Sequence, residues 1–372
     1  MSRDGHVVCN VAILGAGPAG SSCAVALKQA GIASVVLVDG GPPAGAAIGE
    51  TIPPDARLLL DRLGLWQAFL DEGHEPCLGS ASAWGNAVLG HNDFLLNPQG
   101  SGWHLDRARF DDFLRRHAVE AGASRIEARF VDAEDRGDGW RLRLTGERTL
   151  DARFVVDAGG RASAFARAVG ARRMALDRLS FVYGFFDAAD ARSRSRLTLL
   201  EAVAEGWWYA AALPGEMLAV AFAGDAESVR ADGLGQEGRW LEAALATRHL
   251  ASRLAGCLFL PGSLAPRVAA SFLLDRVQGP RWLAVGDAAA CFDPLAAQGI
   301  YKALEDGLNG AASIAAALRA GGDLAGDYAE TARARFDEYL VNRNHFYGLE
   351  RRWPDSAFWR RRQGRTDLSA AA

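Results

Sequence analysis

Lysine is all but missing from this chain: of 372 residues only Lys28 and Lys302 are lysine, and arginine supplies the rest of the 41 basic side chains. The formal net charge is −4 and the pI about 6.0. A dedicated nucleic-acid binder needs a basic face, so that class is excluded. No apolar run reaches the roughly 18–20 residues of a membrane span, and no membrane partner is expected. Cysteine is sparse as well. Cys9, Cys23, Cys77, Cys257 and Cys291 are odd in number and show no CxxC spacing. They predict neither a disulfide framework nor a metal site, and read as small buried hydrophobes in a reducing compartment. The opening "MSRDGHVVCNVAILGAG" enters a buried-strand pattern at once and leaves no room for a signal peptide. A cytoplasmic protein is the expectation. Repeats and low-complexity linkers are also lacking. The 49% hydrophobic and 23% charged composition predicts an ordinary globular chain with about two packing units.

What is present begins with "VAILGAGPAGSSCAVALKQAG", a strand, a glycine-rich turn and a helix. Gly15, Gly17 and Gly20 fit G-x-G-x-x-G, with Pro18 and Ala19 between the second and third glycines. The first glycine makes the tight turn, the second lets backbone approach a pyrophosphate, and the third packs helix on strand. About twenty residues further on, "SVVLVDGG" ends a second strand in Asp39, placed to accept hydrogen bonds from a ribose hydroxyl. A second match, Gly233, Gly235 and Gly238 in "RADGLGQEGRW", has polar flanks and no strand before it, so a surface loop is expected there.

The other informative segment is "RWLAVGDAAACFDPLAAQGIYKALEDG". A strand ends at Gly286-Asp287, Pro294 removes a backbone donor, and Gly299 opens an apolar-periodic helix with charge scarce until Lys302. Bare N–H groups at such a helix N-terminus stabilise negative charge.

Together these segments resemble the FAD-dependent hydroxylase superfamily of the p-hydroxybenzoate hydroxylase fold, which also contains flavin-dependent halogenases and geranylgeranyl-type reductases. The resemblance implies that Asp287 holds the flavin ribityl chain. It also implies that the backbone around Gln298, Gly299 and Ile300 faces the pyrimidine edge of the isoalloxazine, where reduction places negative charge. Further matches are "IGETIPPDARLLLDRLGLW", with Glu50 retained and Thr51 replacing Ser, and "GWHLDRARFDDFLRRHAVEAGA", whose Arg107 is implied to reach the FAD phosphates or ribityl. The strand around Val131 is implied to give a backbone contact to adenine, and Asp157 in "FVVDAGGRASAFARAVG" to be structural. The fold class implied is α/β, with a discontinuous Rossmann-like FAD domain at 1–75, 100–175 and 267–325. A mixed or antiparallel β-sheet substrate domain takes 76–99 and 176–266, and a C-terminal helical tail 326–372. Within it, "LTLLEAVAEGWWYAAALPGEMLAVAFAG" reads as antiparallel strands turning at Pro214-Gly215-Glu216. Only one dinucleotide fold is present, so NAD(P)H is left the part of a transient electron donor.

"EGWWYAAALP" resembles the halogenases' Trp-x-Trp-x-Ile-Pro element in an altered pattern, through Trp207, Tyr209, Leu213 and Pro214. A flavin halogenase also needs a lysine that captures hypohalous acid. Where halogenases place it, this chain reads "HEPCLGSASAWGN", so halogenation is not expected. A reduced flavin with room above C4a instead forms a hydroperoxide able to oxygenate an electron-rich ring. Trp84, Trp103 and Trp207 are candidates to line a dry pocket for that chemistry, and His104, Trp208 and Tyr209 are the catalytic candidates. Most specifically, "SAWGN", "GWHLDRARFD", "FDPLAAQGIYKALEDG" and "LERRWPDSAFWRRR" resemble the flavoprotein maturases of tryptophan-quinone enzymes, such as the lysine ε-oxidase and glycine oxidase maturases and the quinohemoprotein amine dehydrogenase hydroxylase. The implied function is an FAD-dependent monooxygenase that hydroxylates a tryptophan of a partner protein, a quinoprotein precursor, during quinone-cofactor biogenesis. Arg351, Arg352, Arg360, Arg361 and Arg362 are then expected to help dock the partner. The alternatives left open are a geranylgeranyl-type flavin reductase and a small-molecule aromatic hydroxylase or halogenase.

Overall fold

The computed structural model describes residues 6–41, 51–189 and 195–364. Strand β1 (His6–Leu14) is buried without a break from Val11 to Leu14, as a central parallel strand covered on both faces must be. Helix α1 (Pro18–Gln29) crosses to β2 (Val35–Asp39), and helix α2 (Arg107–Glu120) leads to a strand at Ser124–Glu127 beside β2. Strand β3 (Arg148–Asp157) lies on the other flank of β1, and Trp282–Ala284, from far down the chain, pairs in parallel with β3. The register puts Leu14 opposite both Val38 and Asp157, and Asp157 opposite Ala284. Gly15, Asp39, Ala158 and Val285 therefore sit at one carboxyl edge of the sheet, the edge at which open parallel sheets bind ligands.

The second sheet is mixed. Leu179–Asp187, β4 (Leu197–Val203), β5 (Gly206–Leu213) and β6 (Met217–Asp225) pair antiparallel, while Gly79–Ala83 joins β4 in parallel and carries Gly90–Asp93 at the sheet edge. The β5–β6 turn falls at the predicted residues, with φ of 75° at Gly215 and 62° at Glu216, the left-handed geometry a tight hairpin needs. Side chains alternate along β5, so Trp207 and Tyr209 share one face and Trp208 takes the other. Gly233 and Gly235 lie in turns after a helix, Ala226–Ala231, with no strand before them, while Gly238 falls in the next helix, Glu237–Leu245, rather than in the expected loop.

Helix α3 (Gly299–Ala320) lies against α1, close enough that a Cβ on Gly307 would run into Ser22 Oγ and the Ala19 carbonyl. Helices α4 (Asp327–Leu349) and α5 (Ala357–Gln363) then cross to the second sheet. There Tyr347, Phe358 and Trp359 pack on Trp207 and Phe181. The fold is of the predicted class: a Rossmann-like α/β unit, a second mixed sheet and C-terminal helices. Among the described residues no helix is long and apolar enough to cross a membrane.

Candidate functional site

The glycine turn is built as its spacing demands. Gly15 has φ of 114°, and a Cβ there would strike the Ala158 carbonyl; a Cβ on Gly20 would strike the Gly15 carbonyl. No atom lies within 4 Å of the position a Cβ would take on Gly17, so that backbone is open to approach. Pro18 and Ala19 begin α1. Asp39 ends β2, but its carboxylate is shared: Arg115 Nε lies at 3.2 Å, Arg125 Nη2 at 2.9 Å, and the Gly41 N–H donates to it at 3.2 Å. Nothing near Asp39 in sequence announced those arginines, which arrive on α2 and the strand after it. Arg107 is the first residue of α2, and its guanidinium is held by Asp111 at 3.2 Å. Val131 is the extra residue of a β-bulge, since Phe130 and Asp132 face the consecutive Leu144 and Arg143. Glu50 lies outside the described residues.

At the other end of the crevice, Asp287 occupies a single turn, Gly286–Ala288, with its side chain 45% exposed. Gly286 has φ of 61° because a Cβ there would come within 2.7 Å of Ala19 Cβ. Two groups that sequence reasoning missed clamp this turn. Ser163 Oγ donates to the Ala288 carbonyl at 2.9 Å, and Asp306 accepts the Gly286 N–H at 3.0 Å. Asp157 is structural, as expected: it accepts N–H bonds from Gly159 and Ala166 at 3.0 and 2.9 Å, while burial pushes its carboxyl pKa up. Gln298 precedes α3 as its N-cap, Gly299 has open space at its Cβ position, and Ile300 is buried. The first N–H groups of α3 have no carbonyl behind them.

The loop before α3 is pinned from the C-terminal helices. Asp293 is fully buried and caps its own turn by accepting the Leu295 N–H at 2.9 Å. Its own N–H donates to the Tyr339 hydroxyl at 2.9 Å, and the Tyr347 hydroxyl donates to its carboxylate at 2.8 Å. Trp207 Nε1 in turn donates to Tyr347 at 3.1 Å, tying β5 to this loop. An open glycine cradle at Gly17, a free helix N-terminus at Gly299 and a half-exposed carboxylate at Asp287 together fit FAD laid along the carboxyl edge.

Two of the three catalytic candidates meet. Thr51 Oγ1 lies 3.0 Å from His104 Nδ1 and 2.9 Å from the Tyr209 hydroxyl, so one threonine joins the small sheet of Thr51–Ile52 and Gly102–His104 to β5. Burial pushes the His104 pKa down to about 4, so the ring is neutral. The Arg196 backbone carbonyl lies beside the imidazole.

Trp208 requires correction. It points to the opposite face of β5, where it is buried against Phe222 and Trp240 at 5.0 and 5.4 Å between ring centroids. It is a core residue there. Trp103 stacks edge-on against Phe69, and Trp84 packs at 5.3 Å on Trp359 with its Nε1 donating to the Phe346 carbonyl. The arginine tail is also not one exposed set. Arg362 is 2% exposed and bonds the buried Asp225 at 2.7 Å, Arg361 bonds the same carboxylate at 2.8 Å, and Arg352 pairs with Glu350. Arg351, Arg360 and Arg361 are exposed, and of these Arg361 is the one tied to Asp225.

Comparison with known proteins agrees with this geometry. A model of the FAD binding domain family matches residues 8–343. LodB of Marinomonas mediterranea, named as an FAD-dependent oxidoreductase, is 28% identical over 369 residues, covering 97% of this chain and 98% of its own length. Among solved structures, the myxobacterial chondrochloren halogenase CndH superposes with a TM-score of 0.85 at 25% identity, over 96% of this chain and 86% of that one. QhpG, a peptidyl tryptophan dihydroxylase essential for tryptophylquinone cofactor biogenesis, superposes with a TM-score of 0.75 at 27% identity, over 96% of this chain and 79% of its own.

Proposed function

This chain belongs to the FAD binding domain family and is an FAD-dependent oxidoreductase, and from that premise we propose that it is a monooxygenase hydroxylating a tryptophan side chain within a partner protein, a quinoprotein precursor, during quinone-cofactor biogenesis. The observation that carries this reading is the combined likeness to LodB along both whole chains and to a peptidyl tryptophan dihydroxylase at 27% identity. The likeness to halogenases is equally extensive, but the chemistry they need is not supplied. The segment Glu75–Ala83, where a halogenase carries its lysine, has none. Lys28 caps the Ile32 and Ala33 carbonyls at 3.1 and 3.0 Å. Lys302 is buried under the Asp287 turn.

Bound FAD would supply oxygen activation for transfer to an electron-rich ring, with NAD(P)H as the proposed transient electron donor. Gly15, Gly17, Gly20 and Asp39 would hold its pyrophosphate and ribose, Arg107 would reach the phosphates or ribityl, the backbone at Val131 would contact the adenine, and Asp287 would take the ribityl chain. The first N–H groups of α3, at Gly299 and Ile300, would meet the charge that reduction places on the pyrimidine edge. Tyr209, whose hydroxyl lies 2.9 Å from Thr51 Oγ1, stands beside Trp207 on that face of β5, and a fixed aromatic wall there would hold an indole in one orientation. Neutral His104 fixes Thr51 through the 3.0 Å contact at Nδ1. The apolar cluster around Trp207, bordered by Tyr209 and Leu295, keeps water from that face.

The test is co-expression with a quinoprotein precursor, followed by mass spectrometry of its tryptophan peptides. A gain of about 16 or 32 mass units, one or two oxygen atoms from flavin chemistry, is expected on one of them. Turnover of a free phenol or indole with no protein modified overturns the peptidyl substrate. A halo-indole formed with chloride or bromide overturns the monooxygenase.

A further inference from the structure

Lys302 is the buried member of the pair of lysines in this chain. It lies in the first turns of α3 with its side chain 2% exposed. Its ammonium is 3.6 Å from Asp306 and 3.7 Å from Asp287, sits 5.3 Å from the centroid of the Phe292 ring, and makes no hydrogen bond. An ammonium without hydrogen-bond partners is costly to bury, so a fold that keeps one there gains something from its charge. Asp306 is already engaged, since it accepts the Gly286 N–H at 3.0 Å and bonds Arg335. The remaining carboxylate neighbour is Asp287, and it is the one that opens to the crevice. The lysine thus stands directly behind the half-exposed acid. It also stands within one turn of the free N–H groups of α3, where its charge adds to the positive end of the helix dipole. An apolar residue would fill the same space without either effect.

We propose that Lys302 is a flavin-positioning residue: it fixes the Asp287 carboxylate for the ribityl chain and biases the site toward the reduced, more negative flavin. The proposal rests on FAD binding and is independent of which substrate is oxidised. Because the ammonium is shut away from solvent, its field is screened little by salt. Because it acts through Asp287, its effect on binding vanishes when Asp287 is uncharged.

The experiment measures FAD affinity of the apoprotein and the flavin midpoint potential, by equilibration with a redox dye, for wild type, K302M, D287N and the double variant. K302M is expected to bind FAD about tenfold more weakly and to have a lower potential, one lost charge-assisted contact being of that size. D287N should weaken binding similarly, and the double variant should be no weaker than D287N alone. K302R, which keeps the charge, should restore most of the affinity and the potential. Unchanged affinity and potential in K302M, or losses that add in the double variant, overturn the proposal. Should K302M not fold, K302Q, which removes the charge and keeps a polar side chain of similar reach, is read against the same two outcomes.

Discussion

At the level of single residues, the decisive feature is that a threonine read only as a replacement for serine joins two catalytic candidates. Tyr209→Phe removes the hydroxyl that hydrogen-bonds Thr51 at 2.9 Å but little packing. It should lower hydroxylation roughly tenfold, the worth of one well-placed hydrogen bond, while FAD affinity and Tm stay near wild type. Measuring kcat beside FAD titration checks this; equal loss of both would mean that Tyr209 is structural. His104 makes a second claim. Burial lowers its pKa to about 4 from an ordinary 6.5, as it does for His74. As pH falls below 6.5 the unfolded chain takes up the proton first, so stability declines from there toward pH 4 and is fully present above 6.5. Between pH 8 and pH 5 each histidine should cost on the order of 2 kcal/mol. His104→Asn should remove its share of the decline in urea unfolding, and an unchanged pH slope would refute the assignment.

At the level of elements, two glycines of one helix separate cofactor binding from folding. Gly299 has open space at its Cβ position, whereas a Cβ on Gly307 meets α1. Gly299→Val should therefore leave Tm nearly unchanged and abolish tight FAD binding, because its side chain grows where the isoalloxazine must approach. Gly307→Ala should reverse the pattern, destabilising by about 1–3 kcal/mol through overpacking between α1 and α3. Differential scanning of the apoproteins with FAD titration distinguishes them. Both glycines stand in one quoted stretch of sequence, and the turn spacing made Gly299 legible from its neighbours alone. Gly307 was not, since its partner Ser22 lies on a helix nearly 300 residues earlier and no local pattern names it.

For the whole molecule, the C-terminal segment covers one face of the second, mixed sheet and anchors the loop before α3. Arg362→Ser leaves the buried Asp225 with Arg361 alone and should cost about 1.5–3 kcal/mol in urea unfolding, the worth of one charged hydrogen bond lost in a buried setting. Arg360→Ser, on an exposed side chain, should fall within about 0.5 kcal/mol of wild type. Equal effects would mean that the tail is loosely held. The partner docking proposed above would then fall to the exposed arginines, of which Arg351 and Arg360 do not hold Asp225. Tyr347 and Trp359 gave no sign of this in sequence, because aromatic residues in an arginine-rich stretch read alike on a solvated helix and on a buried one.

The glycine turn, Asp39, the Asp287 segment and the hairpin at Pro214–Glu216 follow from the sequence by itself, because each is a backbone geometry set within a few neighbouring residues. The α/β class follows for the same reason, from strand and helix periods written locally. Tertiary structure alone decided which distant groups meet. Thr51, His104 and Tyr209 are separated by 53 and 158 residues and are joined through a sheet contact that no spacing encodes. Strand alternation fixed that Trp207 and Trp208 face opposite ways, but only the covering helices determined that Trp208 is core. Lys302 and Asp306 lie one helical turn apart, yet the burial that gives the ammonium its meaning comes from the Asp287 turn and Phe292 folding over it. Charge placement inside a protein depends on what excludes water around it, and that is a property of the assembled fold.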